Sequence, residues 1–324
     1  MAIREQTMEI LQYALRKFIT GIPLIIGVTL ISFLLMVYFG PDKTYELVGK
    51  NPTPEQIQEV RHQLGYDKPF VTRYLEYLKE LVTFDFGYSD STGERVNSIL
   101  ARTVPISLAL IIPGFVLGNL LGIALALVAA YHRGRWWDKF IMGGSVVGMS
   151  VSFLIVIIAF QIIFSSNDGL GWFPVRGWNV YNFWDYLRYV TVPTLATVFV
   201  ALGYNTRFYR AVIVEEMGRD HVRTAKAFGT PPGELLFKHI LKNAMIPIIT
   251  RIMFSIPLVV ISGSLLLESY FGIPGVGLVT YDAITTGDQP ILKAVVGITA
   301  VLFVVVLILN DIFYKLVDPR VSLK

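Results

Sequence analysis

The stretch YNTRFYRAVIVEEMGRDHVRTAKAFGTPPGELLFKHILKNAMIPIIT, residues 204–250, decides how the rest of the chain is read. It is the one long polar interruption between two apolar segments, and it carries both signs of charge with Arg and Lys in excess. Nothing in it has the form of a hydrolytic or redox site. Two helices can be written onto it. The first covers residues 215–228, where Glu216 to Arg219 and Asp220 to Arg223 place opposite charges side by side at i,i+3 spacing. Gly229 ends it, because glycine adopts a left-handed conformation without penalty, and Pro231 and Pro232 cannot continue the same helix. Thr230 is then the expected cap of the next helix, with Pro231 at its first position and Glu234 near its positive end. The predicted result is a helix, a tight corner and a second helix running back into a membrane.

The stretch resembles the cytoplasmic coupling segment of permease subunits of ATP-binding cassette importers, and specifically the branch that imports oligopeptides, dipeptides and nickel. The general motif there is Glu-Ala-Ala, three residues, Gly, nine residues, then Ile-x-Leu-Pro. Arg223, Thr224 and Ala225 take the first three places, Gly229 and Leu241 fit, and Arg223, Thr224, His239 and Lys242 depart from the Glu, first Ala, Ile and Pro. The peptide-branch pattern, E-E-x5-V-R-T-A-x-A-x-G followed by a helix ending N-A-x-x-P, is matched by Glu215, Glu216, Val222, Arg223, Thr224, Ala225, Ala227, Gly229, Asn243, Ala244 and Pro247. The resemblance implies that Glu215, Glu216, Arg219, Asp220, Arg223, Thr224, Ala225 and Gly229 couple the chain to a cytoplasmic ATPase. A plain amphipathic connector is the competing reading of the same residues.

Composition agrees with a lipid environment. The chain has 324 residues, 54% of them hydrophobic, and a mean hydropathy of +0.58. A net charge of +4 gives no support to a nucleic-acid partner, and the basic residues are better explained by orientation in a membrane. With no cysteine there is no disulfide framework, thiolate metal site or thiol nucleophile.

Six spans are expected, at residues 18–39, 104–131, 140–164, 190–206, 244–267 and 291–309, giving an all-α integral membrane protein. Residues 1–17 form a cytoplasmic N-terminal segment, 40–103 a helical first periplasmic loop, 104–317 the core with its coupling segment at 207–243, and 318–324 a cytoplasmic tail. A cleaved signal peptide is the rival reading of the first span, but the run is long enough to cross and no small-x-small cleavage site follows it. In the first loop, Tyr74, Leu75, Leu78 and Leu81 fall on one helical stripe. An aromatic turn follows, and Asp85, Phe86, Gly87 and Ser89 match the D-F-G-x-S of the peptide-type permeases, which implies either a packing role or contact with a binding protein. Gly114, Gly118 and Gly122 recur every four residues in the second span, a small face that lets helix backbones approach in lipid. Pro247 and Pro257 are expected to bend the fifth span. FGIPGVG at 271–277 is similar to the family's F-x-x-P-G-x-G, and Asp311, Tyr314 and Asp318-Pro319-Arg320 to its D-x-x-Y…D-P-R ending.

Orientation follows from charge. Arg133, Arg135, Lys139 and eight Lys or Arg between 207 and 251 mark the inner side, whereas the loops after 167 and 268 have no basic excess, so both termini are expected in the cytoplasm. No G-x-x-x-x-G-K-[ST] phosphate loop occurs, so ATP and Mg are expected in partner subunits and no cofactor in this chain. No metal-ligand or nucleophile motif occurs either, and His62, His132, His221 and His239 are scattered over loop-like stretches. A metal role is not expected.

These readings point to a transport subunit of the bacterial inner membrane and not to an enzyme. The resemblance implies a second, homologous permease, two cytoplasmic ATPases, a periplasmic or lipid-anchored solute-binding protein, and peptides as substrate, with nickel and oligosaccharides as rivals. Ser150, Ser152, Ser255, Ser262 and Ser264 are polar positions of the third and fifth spans that either face a pathway or bond between helices. An ion-coupled carrier is the alternative from another class. It requires membrane-embedded charge or an inverted repeat, and the sequence displays neither.

Overall fold

The computed structural model describes residues 2–40, 42, 44–49, 51–259 and 264–317. Every regular element among them is helical, apart from one isolated bridge between Tyr88 and Arg95. In chain order these are α1 (Ala2–Phe39), α2 (Thr44–Leu47), α3 (Pro54–Gln63), α4 (Phe70–Thr83), α5 (Val96–Tyr131), α6 (Trp136–Ser150), α7 (Phe153–Ser165) and α8 (Phe183–Met217). The short α9 (Asp220–Ala227) follows, then α10 (Pro232–Glu234), a π-helical turn (Leu235–Leu241), α11 (Lys242–Leu258), α12 (Ser264–Phe271), α13 (Val276–Thr286) and α14 (Gln289–Val317).

Among the described residues five helices are long and apolar enough to cross a membrane, and α6 with α7 makes a sixth crossing if the bent pair counts as one. That pair departs from the expected straight third span, because its halves meet at 101°. Val151 and Ser152 are both extended there, at ψ 131° and 137°. Serine competes for backbone hydrogen bonds and favours helix ends, and the groups freed at this one are partly satisfied locally. Ser150 Oγ donates to the Val146 carbonyl at 2.7 Å, and the Tyr204 hydroxyl to that of Met149 at 3.4 Å.

The fourth span is also longer than expected. Asn182 caps α8 by accepting from the Asp185 amide at 2.9 Å, and the helix then runs unbroken for 35 residues, about 52 Å at 1.5 Å per residue. A hydrocarbon layer is only ~30 Å thick, so α8 protrudes from it. Its partner through the membrane is α5, and the glycine face read from the sequence is the contact. A Cβ at Gly118 would lie 2.8 Å from that of Ala201, at Gly114 2.9 Å from Thr197, and at Gly122 3.0 Å from Asn205. On another side, Gly203 of α8 rests on the backbone of α6 around Gly148. Where these helices meet, Asn119 of α5 accepts from the Tyr209 hydroxyl and from Asn205 Nδ2 at 3.2 Å, and donates to the Phe115 carbonyl at 2.7 Å.

The helix α4 packs against both α1 and α14. Phe33, Phe70, Tyr74 and Tyr77 form one aromatic cluster. The Tyr77 hydroxyl donates to the Lys293 carbonyl at 2.8 Å, Lys293 pairs with Glu80 at 2.8 Å, and Leu81 fills a notch at Gly297. The buried stripe is therefore Tyr74 and Tyr77 with Leu78 and Leu81 beside them, and Leu75, expected on it, is exposed. Ser262 and Asp318-Pro319-Arg320 lie outside the described residues.

Candidate functional site

The polar stretch folds as a joint at one end of α8. The helix expected at 215–228 is two helices: α8 stops at Gly218, Arg219 is extended, and α9 starts at Asp220. An acid in the first turn suits the positive end of a helix. Gly229 closes α9 as read from the sequence, with φ +80°, and the amides of Gly229 and Thr230 donate to the carbonyls of Lys226 and Ala225 at 3.0 and 3.2 Å. The next cap is displaced by one residue. Pro231, extended at ψ 146°, takes the N-cap place expected for Thr230, and Pro232 is the first helical residue.

Val222 anchors α9. It is buried among Tyr209 and Ile213 of α8, Leu236 and Ile240 of the π turn, and Ala126 of α5. A polar clasp flanks it, in which His221 Nε2 lies 2.9 Å from Asn243 Nδ2 of α11 and 3.3 Å from Glu216 of α8. Arg219 pairs with Glu215 at 3.4 Å and Glu216 at 3.5 Å, and Arg223 with Asp220 at 3.6 Å. Both i,i+3 pairs expected from the sequence are thus present. The opposite face of α9 is bare: Asp220, Arg223 and Thr224 are exposed, and Phe228 is 86% exposed at its end. A side chain at Gly229 would meet nothing within 4 Å in this chain. Nearby, Asp138 in the first turn of α6 is buried and accepts both Arg210 Nε and Nη2, at 2.5 and 2.6 Å, which ties α6 to α8.

Further along α8 toward the membrane lies a cavity of about 580 Å³. Its wall is the corner between α6 and α7, together with faces of α5, α8 and α11. Ser150, Ser152 and Ser255 border it, whereas Ser264 borders a separate space of about 310 Å³ beside Ser107. The aromatic turn after α4 is folded into its own chain. Phe86 is buried, Ser89 Oγ donates to the Asp288 carboxylate, the Gly87 carbonyl accepts from the Val96 amide at 3.0 Å, and Asp85 faces outward beside Arg95.

Two charged groups expected in loops are found elsewhere, and with Arg251 inside a candidate span the expectation of no membrane-embedded charge does not hold. Arg251, counted with the inner basic residues, stands nine positions into α11 and lines the cavity. Glu268, counted as an outer-loop acid, is completely buried on α12. Its carboxylate accepts from Ser107 Oγ and from the Leu278 amide at 3.0 Å, so it caps α13 across the FGIPGVG turn. The signal for Arg251 was in the sequence, since a cation flanked by Ile252, Met253 and Phe254 is seldom a loop residue.

A model of binding-protein-dependent transport system inner membrane components matches residues 118–323, and a model of the N-terminal part of such components matches residues 10–111. This chain belongs to that family. The permease is also similar to a Brucella abortus (strain 2308) protein with a provisional peptide transport system permease name, at 32% identity over 312 residues, covering 95% of this chain and 98% of the relative. Dipeptide transport system permease protein DppB of Bacillus subtilis (strain 168) is 30% identical over 314 residues, covering 96% and 98%. In three dimensions a chain of the inward-facing MetNI methionine ABC transporter aligns with a TM-score of 0.54 at 15% identity, covering 68% of this chain and 96% of that one, a likeness of fold. The chain is therefore a multi-pass permease subunit of an ATP-binding cassette importer in the inner membrane. It is not itself the enzyme: ATP hydrolysis belongs to partner subunits, and a substrate-binding partner delivers the solute.

Proposed function

We propose that this permease carries peptides inward, together with a second homologous permease, two cytoplasmic ATPases holding ATP and Mg, and a periplasmic or lipid-anchored solute-binding protein. Both termini lie on the cytoplasmic side. Force enters at residues 215–229 and travels along α8, whose other segments line the cavity. The observation that carries this reading is the division of α9 into two faces. Val222 and the His221 clasp fix it rigidly to α8 and α11, while Phe228, Arg223 and Asp220 project as an apolar knob with a charged rim. Central apolar anchors inside a polar rim are how a small interface gains affinity. The peptide substrate rests on the relatives' names and on the motif match at residues 215–229.

The test is to assemble the importer in proteoliposomes with Phe228→Asp in this chain. Burying a phenylalanine contributes about 1.5–3 kcal/mol, so ATPase association weakens roughly ten- to hundred-fold and ATP-driven tripeptide uptake falls with it, while insertion is unchanged. Unaltered association and uptake refute the joint. Uptake of nickel or an oligosaccharide in place of tripeptide by the wild-type particle refutes the peptide assignment and leaves the joint standing.

A further inference from the structure

The cavity at the α6–α7 corner has an electrostatic character that its mostly apolar wall does not suggest. Of the described residues that line it, Arg251 alone is charged and none is an acid. Arg251 Nε has no hydrogen-bond partner among the described residues, and the side chain enters none of the ion pairs formed among them. Its guanidinium carbon lies over the Phe208 ring, 4.8 Å from the centroid, a cation–π contact that uses none of its N–H donors. An ionisable group at this depth in a span is retained where it faces a partner or a pathway.

A second feature of the same wall has the same sign. The N-terminus of α7 opens on the cavity at Ser152 and Phe153, and Ser152 makes no side-chain capping bond, so first-turn amides of α7 lack that partner. The opposing C-terminal end of α6 is partly neutralised, since Ser150 and Tyr204 donate to its carbonyls. A positive helix end and an unpaired guanidinium therefore face one space of about 580 Å³, a size typical of small-solute sites at roughly 300–1,000 Å³.

We infer that this cavity is a carboxylate-binding waypoint on the transport path, in which Arg251 takes the anionic end of the solute while the uncapped turn of α7 supplies amide donors. The inference rests on the peptide reading, because a free C-terminal carboxylate is the anion every unmodified peptide carries. Arg251 selects solutes by that group, and the apolar remainder of the wall tolerates varied side chains.

The experiment uses the assembled importer in nanodiscs, with phenylglyoxal labelling of Arg251 followed by mass spectrometry. Arg251 reacts in the solute-free particle, trialanine slows the reaction about ten-fold, acetate at higher concentration also slows it, and trialanine amide does not. In proteoliposomes Arg251→Gln lowers trialanine uptake about ten-fold and leaves the low uptake of the amide unchanged, and Arg251→Lys restores part of the loss. The inference is overturned if Arg251 is unreactive in the solute-free particle, if amide and acid protect equally, or if Arg251→Gln depresses both uptakes alike. Protection by acetate in a wild-type particle that moves no tripeptide upholds the carboxylate site and sinks the peptide reading.

Discussion

Gly203→Ala tests the contact on which the bent third crossing leans. An ideal Cβ at Gly203 sits 2.8 Å from Met149 N, 2.9 Å from the Gly148 carbonyl carbon and 3.0 Å from Ser145 O. All three are backbone atoms, so no rotamer change relieves the clash, and α6 must retreat from α8 by about 0.6 Å to restore an ordinary 3.4 Å separation. Overpacking of this kind costs about 1–3 kcal/mol, against a gain of at most ~1 kcal/mol from the higher helix propensity of alanine. Net destabilisation of about 1–2 kcal/mol is expected. Gly144→Ala on α6 is the matched control, because a Cβ there meets nothing within 4 Å, and the same chemistry should stabilise by about 0.5–1 kcal/mol. The measurement is unfolding of the purified chain in detergent, followed by tryptophan fluorescence against added SDS. Midpoints must move in opposite directions. A shift of the same sign in both variants would falsify the steric argument and leave only propensity.

Two further outcomes follow from other contacts. In the Asn119 network, Asn119→Leu leaves the buried Tyr209 hydroxyl without its acceptor, whereas Tyr209→Phe removes that donor, so the double variant should be less damaged than the sum by about 0.5–1.5 kcal/mol in the same SDS titration; strict additivity would show that the hydroxyl bond contributes nothing. In the segment between α1 and α3, desolvation works to raise the Asp42 pKa, but bonds from the Thr44 hydroxyl and amide and the Arg61 guanidinium outweigh it and hold the carboxyl below its ordinary 3.8. A depressed folded value means the contribution is complete above 3.8 and is lost as pH falls from there through the lower folded value, so hydrogen-exchange protection of residues 44–47, corrected for intrinsic rate, should hold from pH 7 to 5 and drop below 3.8, and Asp42→Asn should abolish the step.

What the sequence disclosed was local. Gly229 followed by two prolines can only close a helix, because left-handed geometry and missing amides act within a few residues, and the structure has the corner there. The paired charges 216 with 219 and 220 with 223 were legible for the same reason. Gly114, Gly118 and Gly122 announced a close helix contact without naming its partner, since α8 is more than 80 residues away and small faces are not addressed. The corner at 150–152 was hidden because Ser-Val-Ser contains neither proline nor glycine and sits in an apolar run. Arg251 and Glu268 were misplaced because charge counting assigns ions to loops, and what holds Glu268 in the interior is a serine 161 positions earlier.

The seven-residue π segment between the joint and α11 sets a phase. A wide turn holds one residue more than an α turn, so everything after it is rotated by roughly 100° relative to an uninterrupted helix. Leu236 and Ile240 inside that segment grip Val222, and Arg251 beyond it points to the cavity. Deleting a single residue there would let the helix wind regularly from end to end, keep Leu236 and Ile240 against α9 as before, and turn Arg251 away from the cavity wall. The register between α9 and the cavity wall is thus stored in one surplus amino acid.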